Sequence, residues 1–227
     1  MKRMKRIISS VLVLGVCMTP LTVPMMVQPI WAQSQNTEFE RFKQLVDQAM
    51  QQTQQKQHQQ AIETWQQIIA ISRKIEAKGM EARALSFIAL NYAGISQFQE
   101  ALKYLQQALP IFREEGERDW EAGTLNSIGL TYLAISQPQE ALKYLNQALP
   151  IWRSVGNRAK EADTLNIIGA VYKRISQPQE ALKYFNQALP ISREVGDRAM
   201  EALILRNIDS IQNKSQPPSS NIQSIPK

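Results

Sequence analysis

Apolar residues recur along this chain at helical spacing, and the recurrence is itself repeated. Ala122, Leu125, Ile128 and Tyr132 form one stripe, and Ala141, Leu142, Leu145, Ala148 and Leu149 form a second after a break at Ser136. Spacing of this kind predicts a pair of amphipathic helices. The first stripe returns as Ala82-Leu85-Ile88-Tyr92 and as Ala162-Leu165-Ile168-Tyr172, while Ala61, Ala101, Ala141 and Ala181 stand forty residues apart. From Ile175 to Arg198 the chain repeats Ile135–Arg158 with four substitutions, Leu145/Phe185, Trp152/Ser192, Ser154/Glu194 and Asn157/Asp197. A fixed period in this range predicts an all-α solenoid in which each helix pair buries its apolar stripe on its neighbours.

Smaller signals place the joints. Ala89, Gly129 and Gly169 occupy one register on the apolar face. A helical glycine costs roughly 0.5–1 kcal/mol relative to alanine, so its recurrence predicts a close approach of two helices. Ser136-Gln-Pro138-Gln and its copy at Ser176 have the spacing of a capping box, with proline in the first turn of the second helix. Pro110, Pro150 and Pro190 lie inside the second helices and predict a bend in their final turns. Gly116, Gly156 and Gly196 are helix stops, and Asn157 and Asp197 can cap the next helix. Glu121, Glu161 and Glu201 then fall in a first turn, where negative charge suits the helix dipole.

The array is expected over 38–212, as about four helix pairs and a C-terminal capping helix, Ala199–Ile211. In that last helix Asp209 and Gln212 replace the glycine and tyrosine of the repeat. Polar substitutions of that kind end an array without exposing core. The first unit is worn: Leu45, Ala49, Ala61 and Trp65 keep the pattern, while Gln48 and Gln52 fall at apolar positions.

The ends differ in composition. Met1–Arg6 carries four positive charges ahead of an apolar run, Ile7–Met18, and small Ala32 precedes polar Gln33. This is the plan of a secretory signal, read as residues 1–32 with cleavage after Ala32; the alternative is an uncleaved N-terminal membrane anchor. A short polar lead-in, Gln33–Thr37, comes next, and the tail Asn213–Lys227 reads as disordered from its proline, serine, asparagine and glutamine. The leader changes the charge balance. Four of the six net positive charges lie in it, leaving about two on the remainder, which argues against a nucleic-acid partner. It also holds the only cysteine, Cys17.

Leu125-x-x-Ile128-Gly129-x-x-Tyr132 followed by Ala141, Leu145 and Ala148 resembles the tetratricopeptide repeat, as do the copies from Leu85 and Leu165. A spacing of forty, against the usual 34, is similar to the lengthened repeats of kinesin light chain and of cyanobacterial multirepeat proteins. The resemblance implies a right-handed superhelix of antiparallel helix pairs and a groove, lined by the first helices, that binds a peptide or extended segment. Offset from the core face, the groove candidates are Arg83, Ser86, Leu90, Asn126, Leu130, Asn166, Lys173, Arg174 and Arg206. Asn126 and Asn166 hold equivalent places, and an amide both donates to and accepts from an extended backbone. The basic residues favour an acidic partner or a free carboxylate. Tyr92, Tyr132 and Tyr172, and Trp65, Trp120 and Trp152, read as packing, with exposure at the rim as the second reading for Trp152.

Catalysis lacks an inventory. His58, the only histidine, reads as a solvated residue of a glutamine-rich turn; it has no second histidine or cysteine of the remainder for a metal site or nucleophile–base pair. No Gly-rich phosphate loop is present. The expectation is a periplasmic or secreted, non-catalytic scaffold without cofactor or metal, monomeric or homodimeric, with a protein or peptide partner. The alternative is a structural, self-associating protein that forms homo-oligomers.

Overall fold

Nine α-helices succeed one another among the described residues: α1 (Ile30–Gln54), α2 (His58–Lys74), α3 (Lys78–Gly94), α4 (Phe98–Glu115), α5 (Arg118–Ala134), α6 (Pro138–Ser154), α7 (Arg158–Arg174), α8 (Pro178–Glu194) and α9 (Arg198–Ser215). The structure, a computed structural model, describes the backbone of residues 30–215 and the side chains of residues 40–213. The chain divides into two compact units, Met1–Phe39 and Glu40–Lys227, and the second carries the repeats. From α2 onward each helix packs on the next, and α3 also meets α5 as α7 meets α9, so contacts are local and the fold is an α-solenoid of antiparallel pairs.

The core runs through the array as three clusters centred on the expected stripes. Trp65, Ile68 and Leu85 belong to one, Leu105, Leu125 and Ile128 to the next, and Leu145, Leu165, Ile168 and Phe185 to the last. The small residues behave as their register predicted. A Cβ on Gly129 would lie 2.7 Å from Leu145 Cγ and 3.2 Å from the Ala141 carbonyl oxygen, and one on Gly169 would lie 2.7 Å from the Phe185 ring. Tyr92, Tyr132 and Tyr172 stack on Tyr104, Tyr144 and Tyr184 of the following helix, with centroids 5.3–5.5 Å apart. Burial, then the neighbouring phenol, pushes the pKa of these three first-helix tyrosines up.

Several local expectations are corrected. Ser136 and Ser176 are not N-caps: they sit in the left-handed region at φ of 61° and 60°, and Gln137 and Gln177 take the cap position without a side-chain bond. The reason is the turn between the helices rather than the proline: Ser96, followed by Gln97 and Phe98, takes the same left-handed conformation at φ of 60° and likewise leaves the cap position to Gln97. Ser136 instead closes α5, with Gln137 N–H donating to the Tyr132 carbonyl and Ser136 N–H to that of Leu133. The bend expected at Pro110, Pro150 and Pro190 is not among these corrections: α4, α6 and α8 are continuous across the three prolines, which lie on the exposed side. There the carbonyl that proline cannot bond, such as that of Asn146, is open to water.

The lead-in Gln33–Thr37 is helical and belongs to α1, which already begins at Ile30; its glutamines are good helix formers. Asn213–Ser215 extend α9, and the rest of the expected tail lies outside the described residues, as does the leader up to Pro29. His58 is not a free turn residue. It opens α2, its Nδ1 lies 3.0 Å from Asn91 Oδ1, and its ring fills the space beside Gly94.

A repeated ion pair joins each second helix to the next first helix: Arg73–Glu81, Arg113–Glu121, Arg153–Glu161 and Arg193–Glu201, at 2.7, 3.0, 2.8 and 2.6 Å. Glu121 and Glu161 are buried, and Arg118 and Arg158 complete their shells. The glutamates therefore act across the joint as well as on their own helix ends.

Candidate functional site

The register of the core decides which side chains face the other way. With Leu125, Ile128 and Gly129 turned onto α6, Asn126 and Leu130 of α5 point toward the neighbouring first helices, and the same holds for Asn166 on α7. A cleft of about 290 Å³ opens there, between α5 and α7 and bordered by Ser86 of α3. Trp120, Asn126, Leu130, Asp163 and Ile167 line it, and the second helices α4 and α6 contribute Leu105 and Trp152. A hollow of about 370 Å³ lies elsewhere, lined mainly by α2 and α4 through Gln66, Arg73, Lys103 and Gln107. It contains none of the unpaired buried polar atoms found among the described residues, whereas the cleft contains two of the four. The cleft is the better-built candidate.

The expected groove residues divide into those free to meet a ligand and those already engaged. Leu90 and Leu130, forty residues apart, are 55% and 46% exposed. Arg206 is exposed on α9. Arg83 is held: it pairs with Glu117 at 2.8 Å and lies over the Trp120 ring, 5.3 Å from its centroid. Lys173 Nζ donates to Asn207 Oδ1, 3.1 Å away. Arg174 reaches back to the α5–α6 turn, donating to the Leu133 carbonyl and to Ser136 Oγ at 2.9 Å each. Three of the four expected cations thus have internal partners.

The two asparagines are equivalent in register but not in bonding. Asn166 Oδ1 accepts from Asn207 Nδ2 at 3.4 Å, a contact supplied by the terminal helix. Asn126 Nδ2 donates to Thr164 Oγ1 at 2.7 Å, and that hydroxyl passes its own proton to the Lys160 carbonyl. This chain of donors fixes the amide, and Asn126 Oδ1 is left without a partner. Trp152 is deep, 4% exposed, and its Nε1–H is likewise unpaired. From sequence the tryptophan reads as packing or as exposed at the rim, and its burial corrects the second reading; its unused donor had no signal in the pattern of apolar positions.

Charge in the cleft is mixed. Asp119 and Asp163 face Lys160, whose Nζ lies 3.9 Å from Asp163 Oδ2. Burial pushes the Asp163 carboxyl up, Lys160 opposes this, and Asp197 adds to it. Among the described residues no group of three or more His, Cys, Asp or Glu side chains could hold a metal ion. Nor is any described helix long and apolar enough to cross a membrane.

No curated protein sequence matches this chain. Among solved structures, a Podosopora anserina kinesin light chain with nearly identical TPR-like repeats is 22% identical, with a TM-score of 0.58 over 78% of this chain and 97% of its own. Aspartyl phosphate phosphatase F of Bacillus subtilis is 17% identical with a TM-score of 0.69 over 77% of this chain, which spans about half (49%) of it. A Rap protein in complex with Competence and Sporulation Factor is 18% identical, with a TM-score of 0.63 over 77% of this chain and 54% of its own. At these identities the likeness is one of fold. The family model for the tetratricopeptide repeat matches residues 45–114 and 120–194. With helix pairs, glycine contacts and register all in the expected places, the chain belongs to the tetratricopeptide repeat family.

Proposed function

We propose that this chain is a non-catalytic protein–protein interaction scaffold that binds an extended peptide segment along its first helices. The observation that carries the reading is the pair of exposed leucines, Leu90 and Leu130, at one register of successive first helices, the second of which lines the buried polar cleft. Apolar anchors beside a few convergent polar groups are the usual make-up of a ligand groove. One similar solved structure, the Rap protein, is a complex with Competence and Sporulation Factor. The ligand we infer is not selected by acidity, because Arg83, Lys173 and Arg174 are engaged and the cleft sets Asp119 and Asp163 beside its one cation, Lys160.

The test is a peptide-display selection on the full chain, followed by fluorescence anisotropy on the selected sequences. Leu90→Asp/Leu130→Asp should weaken them roughly tenfold or more, the scale of a lost interface anchor. Selected peptides that bind the variant equally would place the ligand elsewhere.

We also propose export, on the strength of the charged, apolar and small-residue order of residues 1–32. The N-terminus of protein recovered from the producing cell reads this directly: Gln33 supports cleavage and Met1 supports a retained anchor.

Self-association has one observation in its favour. Leu205 of α9 is 36% exposed where its counterparts Leu85, Leu125 and Leu165 are buried, because among the described residues no second helix covers it. Sedimentation over a concentration series decides, and a dimer dissolved by Leu205→Gln would favour this second reading.

A further inference from the structure

The third repeat holds two buried polar atoms that the protein itself does not satisfy, and the residues that carry them, Asn126 and Trp152, line one cleft. Asn126 is 7% exposed and its Oδ1 is an acceptor without a donor; Trp152 Nε1–H is a donor without an acceptor. Leaving such groups unpaired costs about 1–3 kcal/mol each, so each calls for a partner. They are not a feature of the repeat as such. At the same registers the second repeat has Ser86, bonded to the Ala82 carbonyl, and Phe112, which has no polar atom. The fourth has Asn166, bonded by Asn207, and Ser192, bonded to the Leu189 carbonyl.

The chemistry of the partner is set by the bond each atom lacks. A carboxylate meets two like charges, Asp119 and Asp163, against the one cation Lys160, and above all it has no proton for Asn126 Oδ1. An ammonium or guanidinium has no lone pair for Trp152. The complementary group is neutral and both donates and accepts. A cleft of about 290 Å³ is far larger than the ~30 Å³ share of one water, so it has room for a side chain rather than a lone hydroxyl.

We propose that the cleft between α5 and α7 is a specificity subsite for a primary carboxamide, the side chain of a glutamine or asparagine in the bound segment. Its carbonyl accepts from Trp152 Nε1–H and its NH2 donates to Asn126 Oδ1. The inference rests on the groove reading above, which says that a peptide lies along the first helices, and adds the side chain that the third repeat selects.

The test is a heteronuclear NMR titration of the uniformly ¹⁵N-labelled full chain, read at the indole N–H signals. The sequence has four tryptophans, and Trp152→Phe identifies the relevant peak. The probes are N-acetyl-glutamine N-methylamide and its leucine, lysine, glutamate and threonine counterparts. The expected result is a saturable shift of the Trp152 indole with the glutamine probe, with an apparent affinity roughly fivefold or more above each of the other four. Asn126→Ser should remove that preference at the Trp152 indole; Trp152→Phe, which has no indole there to read, should remove it at the Asn126 side-chain amide signals. Both variants place the second repeat's own residue in the third, so the fold has a precedent for them.

Equal shifts from the leucine or threonine probe would overturn the proposal, as would a glutamine preference that survives Asn126→Ser. An indole that no probe moves overturns it too, and leaves a trapped water as the partner of Trp152. Failure of the groove reading is distinguishable. Selected peptides that shift residues around Leu90 and Leu130 without a carboxamide preference sink the subsite alone. If no peptide binds, the groove reading fails and the small probes still decide the subsite.

Discussion

Gly169→Ala tests the packing logic of the whole array. In an unconstrained helix the change should stabilise by about 0.5–1 kcal/mol, because alanine loses less backbone freedom than glycine. At Gly169 the added methyl would stand 2.7, 2.8 and 3.1 Å from three atoms of the Phe185 ring, where ordinary contact begins near 3.4 Å. The ring must therefore retreat by about 0.7 Å, yet it is fully buried and rigid. Overpacking of this kind costs about 1–3 kcal/mol, so the net expectation is a loss of about 1 kcal/mol. Gly123, on α5 with nothing within 4 Å of an added Cβ, is the control, and Gly123→Ala should gain about 0.5–1 kcal/mol. The second repeat accommodates an alanine at this register, pairing Ala89 with Leu105 in a buried core. A leucine, unlike the Phe185 ring, can turn aside to do so, even though Leu145 as placed would crowd a Cβ on Gly129. Gly169→Ala/Phe185→Leu should accordingly recover about 1 kcal/mol or more relative to the sum of the single changes. Urea unfolding followed by far-UV circular dichroism reads these differences. A slope of about 2 kcal/mol per molar makes 1 kcal/mol a midpoint shift of roughly half a molar. A Gly169→Ala protein as stabilised as Gly123→Ala, with additive effects in the cycle, would refute the claim that the glycine register exists for close packing.

Glu161→Ala should cost about 1.5–3 kcal/mol, because a buried carboxylate bonded by Arg153 and Arg158 is lost at the α6–α7 joint. Thermal unfolding of the variant beside Glu140→Ala, whose partner Lys143 is an exposed neighbour on the same helix, should show little change in the latter. Alkaline pH should weaken the fold. Tyr92, Tyr132 and Tyr172 keep their protons to higher pH folded than unfolded, so stability holds below about pH 10 and falls as pH rises beyond the unfolded tyrosine value. Urea midpoints between pH 8 and 11 should fall less steeply once all three are phenylalanine, and equal slopes would count against the stacked phenols as the cause.

The array was legible because its information is local. A helix pair that touches only its neighbours writes its core as a short-range stripe, so Leu125, Ile128 and Gly129 announce both the helix and the face it buries. Ser136 shows where a local pattern misleads. The capping-box spacing was present, but the left-handed turn that closes α5 takes up the serine and leaves the cap to Gln137, as Ser96 and Gln97 do in the second repeat without a proline. The worn first repeat hid His58 in the same way, since glutamines on either side resemble a solvated turn while its partner, Asn91, lies thirty-three residues on.

The candidate site was legible only as a row of positions. That Asn126 and Asn166 share a register came from the forty-residue period; that one keeps a free oxygen and the other is bonded by Asn207 is decided forty-one residues away, on the last helix. Arg83 looked available until Glu117 and Trp120 were placed beside it. Periodicity alone thus determined the helices, their pairing and the buried face, because burial of apolar area averages over many side chains. Hydrogen bonds are made atom by atom at fixed distance and angle. Only the folded chain could decide which amide oxygen and which indole N–H remain to be satisfied by something else.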